Sequence, residues 1–227
     1  TDFPLFADIR QSLHKQTGWE RGAERIYYNL AQDFLYKHPA DNLTFLTNHD
    51  VSQFYTIAGE DFGKFRLGIT LLFTLRGIPQ FYQGMEVLMT GDQGEGHGLM
   101  RKDFPGGWPG DTANAFTAEG LTTDQHQALN YVKTIANWRK GCQAAQTGRL
   151  MQFIPSNDVY VYFRYTDKQK VMVALNFSDQ PRTFTTERFR EIAGSSTSGT
   201  DILTGTVHPL PGTITLQGRT SAIIELK

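Results

Sequence analysis

The sequence holds a single cysteine, Cys142, so no disulfide can close within it. That fits a reducing compartment, although exported enzymes also manage without disulfides, and a soluble protein of either cytoplasm or periplasm is compatible with it. No apolar run approaches the roughly 18–20 residues that span a bilayer. The longest, Leu67 to Leu75, is interrupted by Gly68, Thr70 and Thr74. Neither sign of charge is in excess: 22 Lys and Arg face 23 Asp and Glu, for a net charge of −1. Nucleic acid and anionic membrane, which attract clustered basic surfaces, are therefore not expected as main partners. An initiator Met and a charged-then-apolar leader are also lacking, so Thr1 is expected to lie inside a longer protein whose preceding part would carry any targeting signal. Internal repeats are absent, and only residues 195–198 approach low complexity.

What is present is enough for a core, since 39% of the 227 residues are hydrophobic. Two periodicities divide the chain. Up to about residue 140, short apolar runs alternate with helical stretches. Gly22 to Tyr36 puts Ile26, Tyr27, Leu30, Phe34 and Leu35 on one helical face. Leu43 to Thr47 reads as a short buried strand ending in Asn48-His49-Asp50. Asp61 to Arg76 is an apolar helix stopped by Gly77, and Ile78 to Tyr82 is a second strand with Pro79 near its start. A Gly-rich loop from Gly84 to about Gly120 precedes a helix from Asp124 to Arg139. That helix has Leu129, Val132, Ile135 and Ala136 inward and Thr122 or Thr123 as N-cap.

After Gly141 the period becomes two. Residues 158–165, 170–177, 183–189, 213–216 and 221–226 read as strands, with turn signals between them, including Gly194 to Gly199 and Pro211-Gly212. The expected fold class is thus α/β plus all-β. Residues 1–141 would form two or three βα units of a parallel sheet, too few to close the eight-stranded barrel, which takes about 250 residues. Residues 142–227 would form a small antiparallel β-sandwich.

Asn48-His49-Asp50 suits a polar strand-to-helix turn, because Asn and Asp both favour turns. It also stands where a (β/α)8 barrel keeps its catalytic residues, at the C-terminal rim of a strand. Phe45-Leu46-Thr47-Asn48-His49-Asp50 resembles the strand-seven motif of the α-amylase family of glycoside hydrolases. One helix later, Gly77-Ile78-Pro79-Gln80-Phe81-Tyr82-Gln83-Gly84-Met85-Glu86 resembles that family's strand-eight motif. Thr1-Asp2-Phe3-Pro4-Leu5 is similar to the end of strand six in the neopullulanase and cyclomaltodextrinase branch. Met100 to Asp111 is similar to the loop after strand eight in that branch. The C-terminal sandwich completes the resemblance, which covers nearly the whole chain.

The resemblance implies the C-terminal portion of a (β/α)8 TIM barrel followed by the β-sandwich. It implies retaining hydrolysis of α-1,4-glucans such as maltooligosaccharides, cyclodextrins or pullulan. Asp50 matches the third catalytic carboxylate, which binds hydroxyls of the distorting sugar and acts mainly in the transition state. His49 matches a donor to hydroxyls of the same sugar, Asn48 orients the turn, and Arg101 stands where an arginine binds the next sugar along. The nucleophile and the acid/base match nothing here and would come from the preceding barrel portion, so this chain alone is expected to be inactive. Asp2 and Glu86 are assigned to strand rims rather than to chemistry. No organic cofactor is implied. Calcium occurs in family members, but no acidic cluster here is set to hold it. A partial barrel would leave apolar surface exposed, so self-association is expected.

Other features are weaker. Gly91 to Gly98 lacks the Lys-Ser/Thr of a phosphate loop and reads as a flexible rim loop able to touch sugar. His14, His38, His126 and His208 are scattered and suggest no metal cluster. Trp19 and Trp108 could stack on sugars, whereas Trp138 should pack within a helix interface. The rival readings are a transglycosylase of the same fold, a non-catalytic carbohydrate-binding or scaffold relative, and an unrelated α/β protein carrying a chance triplet.

Overall fold

The computed structural model describes residues 1–14 and 22–227. Trp19 falls outside them. The chain opens on helix α1 (Phe3–Ser12), with Pro4 in the first turn and the Asp2 carboxylate accepting from the Leu5 amide at 3.1 Å. The opening pentapeptide, expected as a strand end, is therefore helical from Phe3 onward. Only Asp2 keeps a sheet-like bond, its N–H donating to the Leu43 carbonyl at 2.8 Å. Helix α2 (Ala23–Ala31) buries Ile26 and Leu30 as its period requires. It stops five residues short of the expected Tyr36 and passes into a 3-10 turn, Asp33–Leu35. Phe34 is 80% exposed, against the expectation of an inward face. The cause is Arg76, whose Nε and Nη2 grip Asp33 at 2.5–3.0 Å and fix the turn with Phe34 and Leu35 facing outward.

Strand β1 (Leu43–Phe45) leads through the short helix α3 (Phe54–Ile57) to helix α4 (Phe62–Thr74) and strand β2 (Ile78–Gln80). The two strands pair in parallel, Leu43 opposite Ile78 and Phe45 opposite Gln80. Asp61 caps α4, accepting from the Lys64 amide at 3.0 Å. Gly77 ends the segment at φ 105°, where a side chain would be strained, and a Cβ there would lie 2.7 Å from the Asn42 carbonyl. Both strands are shorter than their apolar runs: Leu46 already bends into the turn after β1, and β2 ends at Gln80, before Phe81 and Tyr82.

The long loop contains the short helix α5 (His97–Met100). Helix α6 (Thr123–Gly141) follows with a capping box, Thr122 and Gln125 bonding each other's backbone amides, and Ala128, Val132 and Ile135 inward. Helix α7 (Gln143–Thr147) then hands over to the antiparallel half: β3 (Arg149–Gln152), β4 (Val159–Tyr165), β5 (Lys170–Asn176), β6 (Arg182–Thr185), the helical turn α8 (Arg190–Ala193), β7 (Ser198–Asp201), β8 (Val207–Pro209), β9 (Thr213–Leu216) and β10 (Ser221–Leu226). Six strands form one sheet in the order β3-β4-β5-β10-β7-β8, and β6 pairs with β9 in a second sheet.

The central strands of the six-stranded sheet, β4, β5 and the middle of β10, are buried on both faces. Val159, Val161, Phe163, Met172, Ala174 and Ile224 face β6 and β9 in one core. The alternate residues Tyr160, Tyr162, Val171, Val173, Leu175 and Ile223 join the core made by α1, α2, α4 and α6. That double burial makes β4 and β5 read as near-continuous apolar runs. The strand expected over residues 183–189 ends at Thr185 and turns into a 3-10 segment, Thr186–Phe189. The turn carries Phe189 under the sheet, 4.8 Å from the Phe153 ring and 6.0 Å from the Phe163 ring. Ser198 to Asp201, partly within an expected turn, is a strand. Gly199 permits it, since a Cβ there would lie 2.4 Å from the Ile224 side chain.

Two buried arginines stitch the halves together. Arg164 on β4 donates to the carbonyls of Thr74, Leu75 and Gly148, and Arg139 on α6 donates to those of Phe73, Ala145 and Gly77. Both thus cover the C-terminal carbonyls of α4, where the helix dipole favours a cation. Among the described residues, no helix is long and apolar enough to cross a membrane.

Candidate active site

The candidate site is built on the turn that leaves β1. Thr47 is buried and donates its hydroxyl to the Ser52 carbonyl at 2.7 Å, closing the turn. Asn48 is also buried, and its Oδ1 accepts from the Asp50 amide at 2.8 Å, a side-chain mimic of a backbone turn. The turn reading of the triplet holds, with Asn48 shaping the turn that presents its two neighbours. His49 and Asp50 point outward, His49 Nε2 lying 3.2 Å from Asp50 Oδ2.

Arg101 reaches this turn across the long loop. Its Nε donates to the His49 carbonyl at 2.8 Å, and its Nη2 donates to Asp50 Oδ1 at 3.1 Å. All four residues expected at the site, Asn48, His49, Asp50 and Arg101, therefore meet. The Asp50 side chain is 61% exposed. The pair with Arg101 lies in water and contributes little to folding, about 0–1 kcal/mol. Its weight is in orientation: Asp50 is flanked by a cation on one oxygen and an imidazole on the other.

The loop is delivered by residues that the sequence reading passed over. Gln53 is only 2% exposed; its amide Nε2 donates to the Met100 carbonyl at 2.9 Å and its backbone N–H to the Gly91 carbonyl at 2.9 Å. Thr56 accepts from the Gly91 amide at 3.0 Å. Ser52 Oγ donates to Asp92 Oδ2 at 3.2 Å and accepts from the Gln93 amide at 2.9 Å. The stretch expected as a flexible rim loop is thus pinned at its base by α3 and the turn before it. The only available signal was a lone Gln between polar and apolar segments, which is too common to single out. His97 was visible within the Gly-rich stretch and stands beside Arg101, its Nδ1 3.2 Å from Nη2.

The other candidates fall elsewhere. Asp2 caps α1 and binds Arg76 Nη1 at 2.5 Å, a buried structural pair. Glu86 accepts from the Gly84 amide at 2.9 Å and shapes the turn after β2. Burial pushes its carboxyl above the usual range, against the pull of those backbone bonds. Trp108 is exposed on the loop that Asp111 organises, while Trp138 is half-buried with its Nε1 donating to Glu225 at 2.8 Å. Among the described residues, no cluster of three or more His, Cys, Asp or Glu is placed to hold a metal ion. A cleft of about 470 Å³ lined by residues such as Arg66, Tyr131 and His208 includes none of the four site residues.

With this geometry in place, comparison with known proteins is direct. Residues 6–178 match the model of the alpha amylase catalytic domain, and residues 150–225 match that of the cyclo-malto-dextrinase C-terminal domain. A cyclomaltodextrin glucanotransferase of Niallia circulans is 30% identical over 214 residues, covering 91% of this chain and 26% of that protein. An alpha-amylase of the same organism is 29% identical over 77% of this chain and 29% of its own length. The crystal structure of the alpha-amylase of Geobacillus thermoleovorans complexed with acarbose superposes with a TM-score of 0.77 at 20% identity, covering 100% of this chain and 47% of that one. The cyclic alpha-maltosyl-(1→6)-maltose hydrolase of Arthrobacter globiformis does so with a TM-score of 0.74 at 21% identity, covering 44% of that chain. The chain thus spans under a third of these curated relatives and under half of these solved structures.

Proposed function

Because the chain belongs to the α-amylase family, we propose that it supplies the last strands of a (β/α)8 barrel and the following β-sandwich to a retaining α-glucan glycoside hydrolase. The observation that carries this reading is the convergence of His49, Asp50 and Arg101 at the C-terminal end of β1, beside a parallel β2. That rim is where a (β/α)8 barrel does its chemistry. In this reading the domains divide at residues 141 and 142, where α6 ends; the short helix α7 follows and the antiparallel strands begin at Arg149.

In this proposal Asp50 stabilises the transition state rather than attacking. An oxocarbenium-like ring carries positive charge, and a fixed carboxylate beside it gains more from that charge than from the neutral ground state. Its two oxygens also accept sugar hydroxyls whose hydrogen bonds tighten as the ring flattens. His49 donates to hydroxyls of the same sugar, and Arg101 holds the next sugar along. A retaining mechanism needs two further carboxyls about 5–5.5 Å apart across the bond, one as nucleophile and one as acid/base. They belong to the barrel portion that this chain would complete, which is also its first partner. Exposure of Asp50 in the chain by itself agrees with a site closed by that portion.

A second reading is transglycosylation, favoured by the glucanotransferase name of the Niallia circulans relative. Both reactions share the glycosyl-enzyme and differ in whether water or a sugar hydroxyl takes the glycosyl group. Steady-state kinetics of Asp50→Asn in the complete polypeptide, with product analysis on maltoheptaose, tests both. Loss of about a hundredfold or more in kcat is expected. Linear shorter products mean hydrolysis, and longer or cyclic products mean transfer.

A further inference from the structure

Arg101 depends on more than Asp50. It is the residue after α5, and its backbone N–H donates to the His97 carbonyl at 3.1 Å, one turn back. That turn puts the two side chains at a separation of four residues on one face. Arg101 Nη2 lies 3.2 Å from His97 Nδ1. A guanidinium can only donate, so this contact is a hydrogen bond in the tautomer whose Nδ1 presents its lone pair and whose proton sits on Nε2. Nη2 therefore donates to Asp50 on one side and to His97 on the other, while Nε is committed to the His49 carbonyl.

We infer that His97 is a positioning residue, holding the Arg101 guanidinium in the plane that faces Asp50 so that the arginine is already oriented when a glucan arrives. This inference rests on the proposed roles of Asp50 and Arg101. A long arginine side chain at a half-exposed site loses much rotamer freedom when it is fixed. A carboxylate alone fixes it poorly once sugar hydroxyls compete for the same oxygens. His97 and the His49 carbonyl are the two anchors that a sugar bound to Asp50 leaves free. The arrangement needs the turn of α5 and the staple from Gln53 to the Met100 carbonyl, which places that turn over the end of β1.

The test is a double-mutant cycle in the complete polypeptide on maltoheptaose, with thermal melts alongside. His97→Ala is expected to raise KM about tenfold and change kcat less than about twofold, because the lost orientation acts through substrate binding. His97→Asn, whose side-chain oxygen can accept near the Nδ1 position, should restore most of KM. Arg101→Ala should raise KM at least as much, and adding His97→Ala to it should change nothing further. Wild-type KM in His97→Ala, or losses that multiply in the double variant, would overturn the inference. So would a fall in Tm that matches the KM effect and is shared by His97→Asn. Asp50→Asn reads the underlying proposal separately. If it keeps more than about a tenth of kcat, the site assignment fails, whereas an inactive Asp50→Asn with independent His97 and Arg101 sinks only the positioning role.

Discussion

Arg164 on β4 offers a calculable perturbation. It is 2% exposed, has no carboxylate partner among the described residues, and donates to three carbonyls, those of Thr74, Leu75 and Gly148. In Arg164→Met the aliphatic stem is replaced in kind, but the three acceptors lose their donor. Each buried orphan costs about 1–3 kcal/mol. Opposing this, burial pushes the guanidinium down to about 10, with Arg139 adding repulsion. Losing that buried charge returns about 3 kcal/mol. The sign follows: a cation with a depressed folded value is a net cost at neutral pH, and removing it offsets part of the damage. The balance leaves a destabilisation centred near 3 kcal/mol, or a fall in Tm of about 6–12 °C for a protein of this size. Arg164→Lys keeps the charge with a single donor centre and should lie between the variant and the wild type. Circular dichroism melts at pH 7 measure both. An unchanged or raised Tm in Arg164→Met would refute the reasoning, showing that the desolvated charge outweighs the helix-end carbonyls it serves. Because the Thr74 and Leu75 carbonyls end α4 just before Gly77 and β2, the loss should also loosen the pairing of β2 with β1.

Four further outcomes are expected. His49→Ala should cost less activity than Asp50→Asn, by about 1–2 kcal/mol in kcat/KM, since it removes hydrogen bonds rather than a charge beside the reacting ring. Glu86→Gln should leave kcat near wild type and raise Tm at neutral pH: a carboxyl with a raised folded value stabilises most at low pH and loses that contribution as pH rises through the folded value, so the two melts should converge on acidification. Thr122→Ala should lower stability by about 1 kcal/mol through loss of the capping box, read by urea denaturation. The 227-residue chain by itself should show no turnover of maltoheptaose or pullulan; activity that scales with its concentration would overturn the division of the active site.

Local periodicity was enough to find α4, α6, β4, β5, β9 and β10, because each pairs a strong apolar period with a cap or a turn residue next to it. It was not enough for β7 and β8, whose Ser-Gly-Thr-Asp and Val-His-Pro segments carry no alternation; β7 exists because β10 offers an edge to pair with, and β8 because β7 then offers another. It also misjudged Phe34 and Leu35, apolar at helical spacing yet exposed. The end of α2 is set by the grip of Arg76, 43 residues away in sequence, on Asp33. The site divides in the same way. Asn48, His49 and Asp50 are adjacent in the chain, and one strand end suffices to group them. Their meeting with Arg101 joins residues 51 apart in sequence, across α3, α4, β2 and the start of the long loop.

By its order of residues alone, the chain determined α4, α6, β4, β5, β9 and β10, where its periodicity changes, and which triplet stands at a strand end. These are short-range properties, set by side-chain period, turn chemistry and backbone freedom. Tertiary structure alone decided that Gln53 would staple the Gly91 to Met100 loop, that Arg101 would lie between Asp50 and His97, and that Arg139 and Arg164 would close the end of α4. Those contacts join residues far apart in sequence, and their energy depends on distances and burial that no local pattern encodes.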